Sequence, residues 1–318
     1  MTKMFAEIIS RGKPLVPLLQ MKKNEKIALV VSGGTFQGTR TAGMICALEK
    51  LGFSNYFHAA YGVSSGATNI AYFLTQQTLL GASIYYQDVL DNRYLGLRWP
   101  PIDTNYLVYE VIGKHKRLDC IAIKNHNTIF KIPFTNDKGR SITITIEKDL
   151  PTLDALRIGM SMGFYAGNGI QWNGSRFFDG MMSNPIPFRD AIQDGYKNLL
   201  VMLNMPLNWD DKNDNILLRI VKFPWIIKYE KEFKHTYFSR QQKYKNQLRE
   251  LYEGDLPSGV NVTIIAPSKN CIGLPFYTRN SALLRRGVEE GVKIIEEVFN
   301  MKLDINLLWL PDCFITKI

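Results

Sequence analysis

Gly62-Val63-Ser64-Ser65-Gly66 is a G-x-S-x-G motif whose flanks decide how it is read. The apolar run from Tyr56 to Val63 precedes it and reads as a strand. Ala67-Thr68-Asn69-Ile70-Ala71-Tyr72-Phe73-Leu74 follows and reads as the start of a helix. Set between a strand and a helix, the motif has the context of a nucleophile elbow, in which glycines accommodate a sharp turn and a serine hydroxyl stands above a sheet. Gly and Ser are also common in turns that carry no chemistry, so a plain strand–helix turn is the competing reading.

Working outward, Ile27-Ala28-Leu29-Val30-Val31 is apolar throughout, as a buried parallel strand is. The loop Ser32-Gly33-Gly34-Thr35-Phe36-Gln37-Gly38 comes next. From Ala42 to Leu51 the apolar residues Met44, Ile45, Leu48 and Leu51 have helical spacing, closed by Gly52. This alternation of strand and helix predicts an α/β fold with a mostly parallel central sheet flanked by helices. Thr128 to Phe134 and Ser141 to Ile146 read as a hairpin around Asn136-Asp137-Lys138-Gly139. Leu153 to Met162 reads as a helix, Asn198 to Leu203 and Val260 to Ile265 as strands, and Ser281 to Asn300 as a long amphipathic helix. No Pro-, Gly- or Ser-rich linker divides the chain. Residues 27–318 are expected to form one domain after a polar lead-in, residues 1–26.

A chain of 318 residues that is 46% hydrophobic and 21% charged can bury a sizeable core, so disorder is not the default expectation. The four cysteines, Cys46, Cys120, Cys271 and Cys313, are far apart and lack metal-binding spacing, so neither a disulfide framework nor a metal site is expected. The N-terminus carries no apolar run of signal-peptide length, and no stretch approaches about 20 apolar residues. A cytoplasmic protein, at most peripheral at a membrane, is the expectation. Lysine and arginine exceed the acids by 39 − 29, a formal charge of +10. Such a surface attracts anions, and it equally serves plain solubility. The basic residues are scattered and no nucleic-acid-reading module appears, so nucleic acid is not expected as a partner.

A serine hydroxyl needs a base within hydrogen-bond reach to act as a nucleophile. His58 lies on the strand leading into the turn, and His115, His126 and His235 sit in polar or basic surroundings without an orienting carboxylate. None falls in a late glycine-rich loop. Phe177-Phe178-Asp179-Gly180 supplies a carboxylate instead, with aromatic residues to bury it, although Asp-Gly after an apolar pair is also ordinary turn chemistry. The loop Gly33 to Gly38, at a helix N-terminus, offers backbone N–H donors where charge would develop on an attacked carbonyl oxygen. It is neither G-x-G-x-x-G nor a P-loop, and a close packing turn is its other reading.

Taken together, the loop Gly33 to Gly38, the motif Gly62 to Gly66 and the late Asp179-Gly180-Met181 resemble the patatin-like phospholipase family, in its bacterial branch. Ala42-Gly43, Asn184-Pro185-Ile186-Pro187, Thr135-Asn136-Asp137 and Phe233 to Ala266 extend the resemblance to most of the chain. It implies a three-layer fold and a lipid acyl hydrolase of phospholipase A or lysophospholipase type. Ser64 would attack an ester carbonyl and Asp179 would accept its proton. Gly33, Gly34 and Thr35, helped by Ser65, would line the oxyanion hole, with no cofactor. An acyltransferase or thioesterase using the same dyad, and a non-catalytic lipid-binding relative, remain alternatives. Three residues depart from the family. Thr35 replaces a glycine, and its β-carbon disfavours positive φ. Gln37 replaces a cation, and Met181 replaces a small residue and is expected to narrow the pocket.

Ile216 to Tyr229 mixes aliphatic, aromatic and cationic residues, as membrane interfaces do. With Lys231 to Lys245 it is expected to form a basic, aromatic approach to the site, within a lid or membrane-contact segment at 205–250. Lys222, Trp225 and Lys228 are the expected contacts with an anionic membrane. A core-facing element with charged edges is the competing reading and stands slightly ahead of it.

Overall fold

The computed structural model describes residues 4–12, 25–208, 216–275 and 277–305, with side chains of 216–220 left aside. Residues 13–24 of the expected lead-in, 209–215 of the expected lid, and Cys313 lie outside the described residues. The strands are β1 Ala6–Arg11, β2 Ile27–Val31, β3 Ala59–Gly62, β4 Ile129–Asn136, β5 Ser141–Thr145, β6 Ile170–Trp172, β7 Ser175–Asp179, β8 Asn198–Met202 and β9 Asn261–Pro267. The helices are α1 Gly38–Lys50, α2 Ser65–Leu74, α3 Thr78–Gln87, α4 Cys120–Lys124, α5 Thr152–Gly159, α6 Phe188–Gln193, α7 Ile216–Ile226, α8 Lys231–Glu253 and α9 Ser281–Phe299. Tyr106–His115 is wound as a π-helix.

The strands form one sheet in the order β1-β9-β8-β2-β3-β4-β7-β6, with β5 on β4. The five inner strands, β9-β8-β2-β3-β4, run parallel, and antiparallel strands flank them on both sides. This is the expected α/β architecture. Alternate residues of β2 explain its layers: Leu29 and Val31 join one core cluster with α1, α2 and α9, while Ala28 and Val30 join another with α6 and α8. Both faces are therefore covered, which is why the inner strands read as unbroken apolar runs.

Two elements depart from the sequence reading. Ala6–Arg11, assigned to the lead-in, pairs antiparallel with β9 along its whole length. Lys231–Glu253 is a single long helix whose buried residues, from Phe233 to Leu251, pack beneath a polar outer face. Among the described residues, no helix is long and apolar enough to cross a membrane.

Helices α1 and α9 cross at backbone contact. A β-carbon on Gly43 would stand 1.9 Å from the Val288 carbonyl oxygen, and one on Gly291 2.0 Å from that of Arg40. Gly43→Ala should therefore destabilise the fold by roughly 2 kcal/mol through overpacking, read as a lower urea midpoint with an unchanged slope. Beside this crossing Arg40 is buried against Glu290 at 2.6 Å and donates to the Asn204 carbonyl at 2.9 Å. It thereby ties α1, α9 and the end of β8 beneath the Gly33–Gly38 loop.

Candidate active site

Ser64 occupies the turn between β3 and α2 at φ 53° and ψ −125°, a conformation that a residue with a β-carbon rarely adopts. The glycines around it serve a different purpose from the one the motif suggests. A β-carbon on Gly62 would lie 2.6 Å from Ala67 Cα, and one on Gly66 2.6 Å from the Val31 carbonyl oxygen. Those glycines let helix and strand touch, while Ser64 itself takes the left-handed backbone. Although it is the residue before the helix, its side chain makes no capping hydrogen bond. Its hydroxyl is thus not committed to the helix end, where serine usually spends it.

Asp179 ends β7, two strands away from the strand that leads into Ser64. In the parallel β3–β4 pair, Tyr61 faces Lys131. Further along β4, Phe134 is the partner of Asp179 across the antiparallel β4–β7 pair, and the Ser64 side chain, in the turn after β3, comes within hydrogen-bond reach of the Asp179 carboxyl. Gly180 follows because a β-carbon there would stand 2.2 Å from the Pro133 carbonyl oxygen. It is a close-approach glycine, and the Asp-Gly pair is no ordinary surface turn.

The Asp179 carboxyl is fully buried. Burial raises its pKa from 3.8 to about 7, against hydrogen bonds from the Ser64 side chain and the Met181 N–H, which lower it. Met181 N–H donates to Oδ1 at 2.8 Å. Oδ2 holds no hydrogen bond of full geometry, so the Ser64 contact is loose. Catalytic hydrogen bonds are often loose before substrate tightens them. The backbone of Asp179 is anchored on both sides, its N–H on the Ser161 carbonyl at 3.0 Å and its carbonyl under the Thr135 hydroxyl at 2.9 Å.

The Gly33–Gly38 loop closes over Ser64, for a β-carbon on Gly33 would lie 2.7 Å from Ser64 Cβ. Among the described residues, the N–H groups of Gly33, Thr35 and Ser65 have no hydrogen-bond acceptor. Gly34 is a correction: its N–H donates to Ser65 Oγ at 3.2 Å, which removes it from the expected set of free donors. Thr35 adopts φ 51° despite its β-carbon, at a cost of about 1–3 kcal/mol. Its hydroxyl contacts the Met162 sulfur at 3.2 Å. Gln37, in place of a cation, is buried and donates to the Leu274 carbonyl at 3.3 Å.

Ser64, Thr35 and Ser65 stand at the head of a cleft of about 540 Å³, counting its open mouth. Below them the walls are mostly apolar, with Ile84, Val89, Leu107, Ile112, Met160 and Met162, and they also include Thr68, Tyr85 and Tyr94. Met181 is not a wall of this cleft; its sulfur sits behind Gly33 instead. The sequence reading missed every apolar residue of the lower walls. They come from α3, the π-helix and the end of α5, and helical spacing could have found those elements without showing that they surround a void. No histidine lines the cleft. His58 Nδ1 accepts the Ile27 N–H, and His126 Nδ1 the Thr128 N–H, so both serve the strand edges.

The chain is 27% identical over 200 residues to the uncharacterized protein YjjU of Escherichia coli (strain K12), covering 57% of this chain and 52% of that protein. It spans about half the length of the curated relative it matches. Its fold is similar to VipD from Legionella pneumophila, with a TM-score of 0.43 and 12% identity, over 87% of this chain and 67% of VipD. No family model matches the chain.

Proposed function

We propose that this protein is a serine hydrolase of carboxylic esters with an aliphatic acyl group, working through a Ser64–Asp179 dyad as patatin-like phospholipases do. The observation that carries it is a serine at φ 53°, within hydrogen-bond reach of a buried carboxyl near neutrality, on a mostly apolar cleft. Ser64 Oγ attacks the ester carbonyl carbon as its proton passes to Asp179 Oδ2. The tetrahedral oxygen gains negative charge against the N–H groups of Gly33, Thr35 and Ser65, at the positive end of α2. Collapse breaks the bond to the alcohol, which leaves with the proton from Asp179, and the acyl chain stays on Ser64 in the cleft. Water then repeats the sequence, giving its proton to Asp179 and freeing the fatty acid. A carboxyl near pH 7 suits both halves, since a base and an acid are needed in turn.

A fluorophosphonate probe should label the wild-type protein and not Ser64→Ala. Absence of labelling in a folded wild-type protein would leave only a lipid binder. Product analysis with phospholipid, lysophospholipid and an acyl thioester, in water and with an added alcohol, then separates hydrolase from acyltransferase or thioesterase.

A further inference from the structure

The α7 region does not present the residues that its composition suggests. Lys222 is 2% exposed, with its ammonium 5.1 Å from the centre of the Tyr165 ring. Trp225 is buried among Phe164, Phe178, Phe233 and Tyr237, and its indole N–H donates to the Gly167 carbonyl at 3.0 Å. Both are corrections to the expected membrane contacts. At about 100° per residue, Lys222, Trp225 and Ile226 fill one arc of the helix. The opposite arc holds Val221, Phe223, Pro224 and Ile227, all exposed. Over residues 221–227, Lys222 is thus buried with Trp225 and Ile226, while an apolar face points outward.

On the buried side of the helix, a chain of rings leads from Trp225 to a second exposed pair of apolar residues. Exposed Trp99 packs on Phe164, which packs on Trp225, at ring separations of 6.5 and 6.4 Å. Leu97, in the same loop, is wholly exposed. At the border, Lys228 donates to the Asn168 side chain and Arg176 to the Asn168 carbonyl. Among the described residues neither cation is in an ion pair. Burial, and then repulsion from Arg176, lower the Lys228 pKa. A β-carbon on Gly163 would stand 2.9 Å from the Trp225 ring, and its neighbour Met162 lines the cleft. Through these residues the buried side of the helix leads to the cleft.

We propose that the surface formed by Val221, Phe223 and Ile227, bordered by Lys228 and Arg176, docks this protein on an anionic phospholipid bilayer. Exposed apolar side chains enter the headgroup boundary, and cations without an ion-pair partner meet lipid phosphate and carboxylate. The net charge of +10 favours this occupant over an equally basic second copy of the chain. The docking itself stands on the surface alone; that it delivers an ester to Ser64 rests on the hydrolase reading.

The test is co-sedimentation with phosphatidylcholine vesicles, with and without phosphatidylserine. The protein should bind the anionic vesicles, and Phe223→Ser with Ile227→Ser should weaken binding at least tenfold. Lys228→Gln and Arg176→Gln should each weaken it about fivefold at low salt. Equal binding by all variants, or indifference to phosphatidylserine, overturns the proposal. So does a dimer in solution that the apolar variant converts to monomer, because a second copy would then be the occupant. Hydrolysis of a short water-soluble ester should be the same in these variants and the wild type. If it is absent throughout while vesicle binding holds, the hydrolase reading fails and the docking surface stands.

Discussion

Ser64→Ala should lower ester hydrolysis by roughly 10⁴-fold or more while leaving the protein folded. The nucleophile is lost outright, and the free N–H groups cannot replace it. Stability should barely move, because the hydroxyl makes no capping bond and alanine carries the same β-carbon into the same backbone conformation. Ser64→Gly should behave differently. It removes the β-carbon at φ 53° and should stabilise the fold by about 1 kcal/mol, with the same loss of activity. Initial rates on a soluble ester, with thermal melts of all three proteins, check both statements. Alanine activity within tenfold of wild type would exclude Ser64 as the nucleophile.

Asp179→Asn should cost activity by about 10³-fold or more and yet make the protein more stable at alkaline pH. The carboxyl titrates at about 7 in the fold against an ordinary 3.8, so the folded state favours its protonated form. Its contribution to stability is fully present below the unfolded value and is lost as pH rises through the folded one. Above pH 7 the buried charge costs on the order of 4 kcal/mol, at 1.36 kcal/mol per pH unit of separation. Asparagine carries no charge to bury. Urea midpoints should therefore diverge in its favour as pH rises from 4 to 8, and converge again near pH 4. For the wild type, kcat/KM should fall on the acid side with an apparent pKa of about 7, because the base must be ionised in the free enzyme. Parallel stability profiles for the two proteins would mean that this carboxylate is solvated, and the proton-transfer role would fall with that result.

Much of this was legible in the chain as written. Apolar runs at 27–31 and 198–203 mark strands because parallel strands are buried on both faces. The G-x-S-x-G turn and the hairpin at Asn136 to Gly139 rest on local backbone chemistry, and that chemistry is complete within a few residues. Ala6–Arg11 escaped notice because an edge strand is held by its partner β9. Composition misled at Lys222 and Trp225, for a lysine among tyrosines reads alike whether it faces lipid or ring faces.

By itself the sequence determined where the turns fall, the order of strand and helix, and the presence of one serine and one aspartate with no competent histidine motif. Tertiary structure alone decided that the Asp179 carboxyl lies within hydrogen-bond reach of Ser64, that Gly34 spends its N–H on Ser65, and that a mostly apolar cleft opens beside them. It also set the Asp179 carboxyl near neutrality. The physical reason is range: a turn is settled by neighbours along the chain, whereas register, burial and a carboxyl's proton affinity depend on groups more than a hundred positions away.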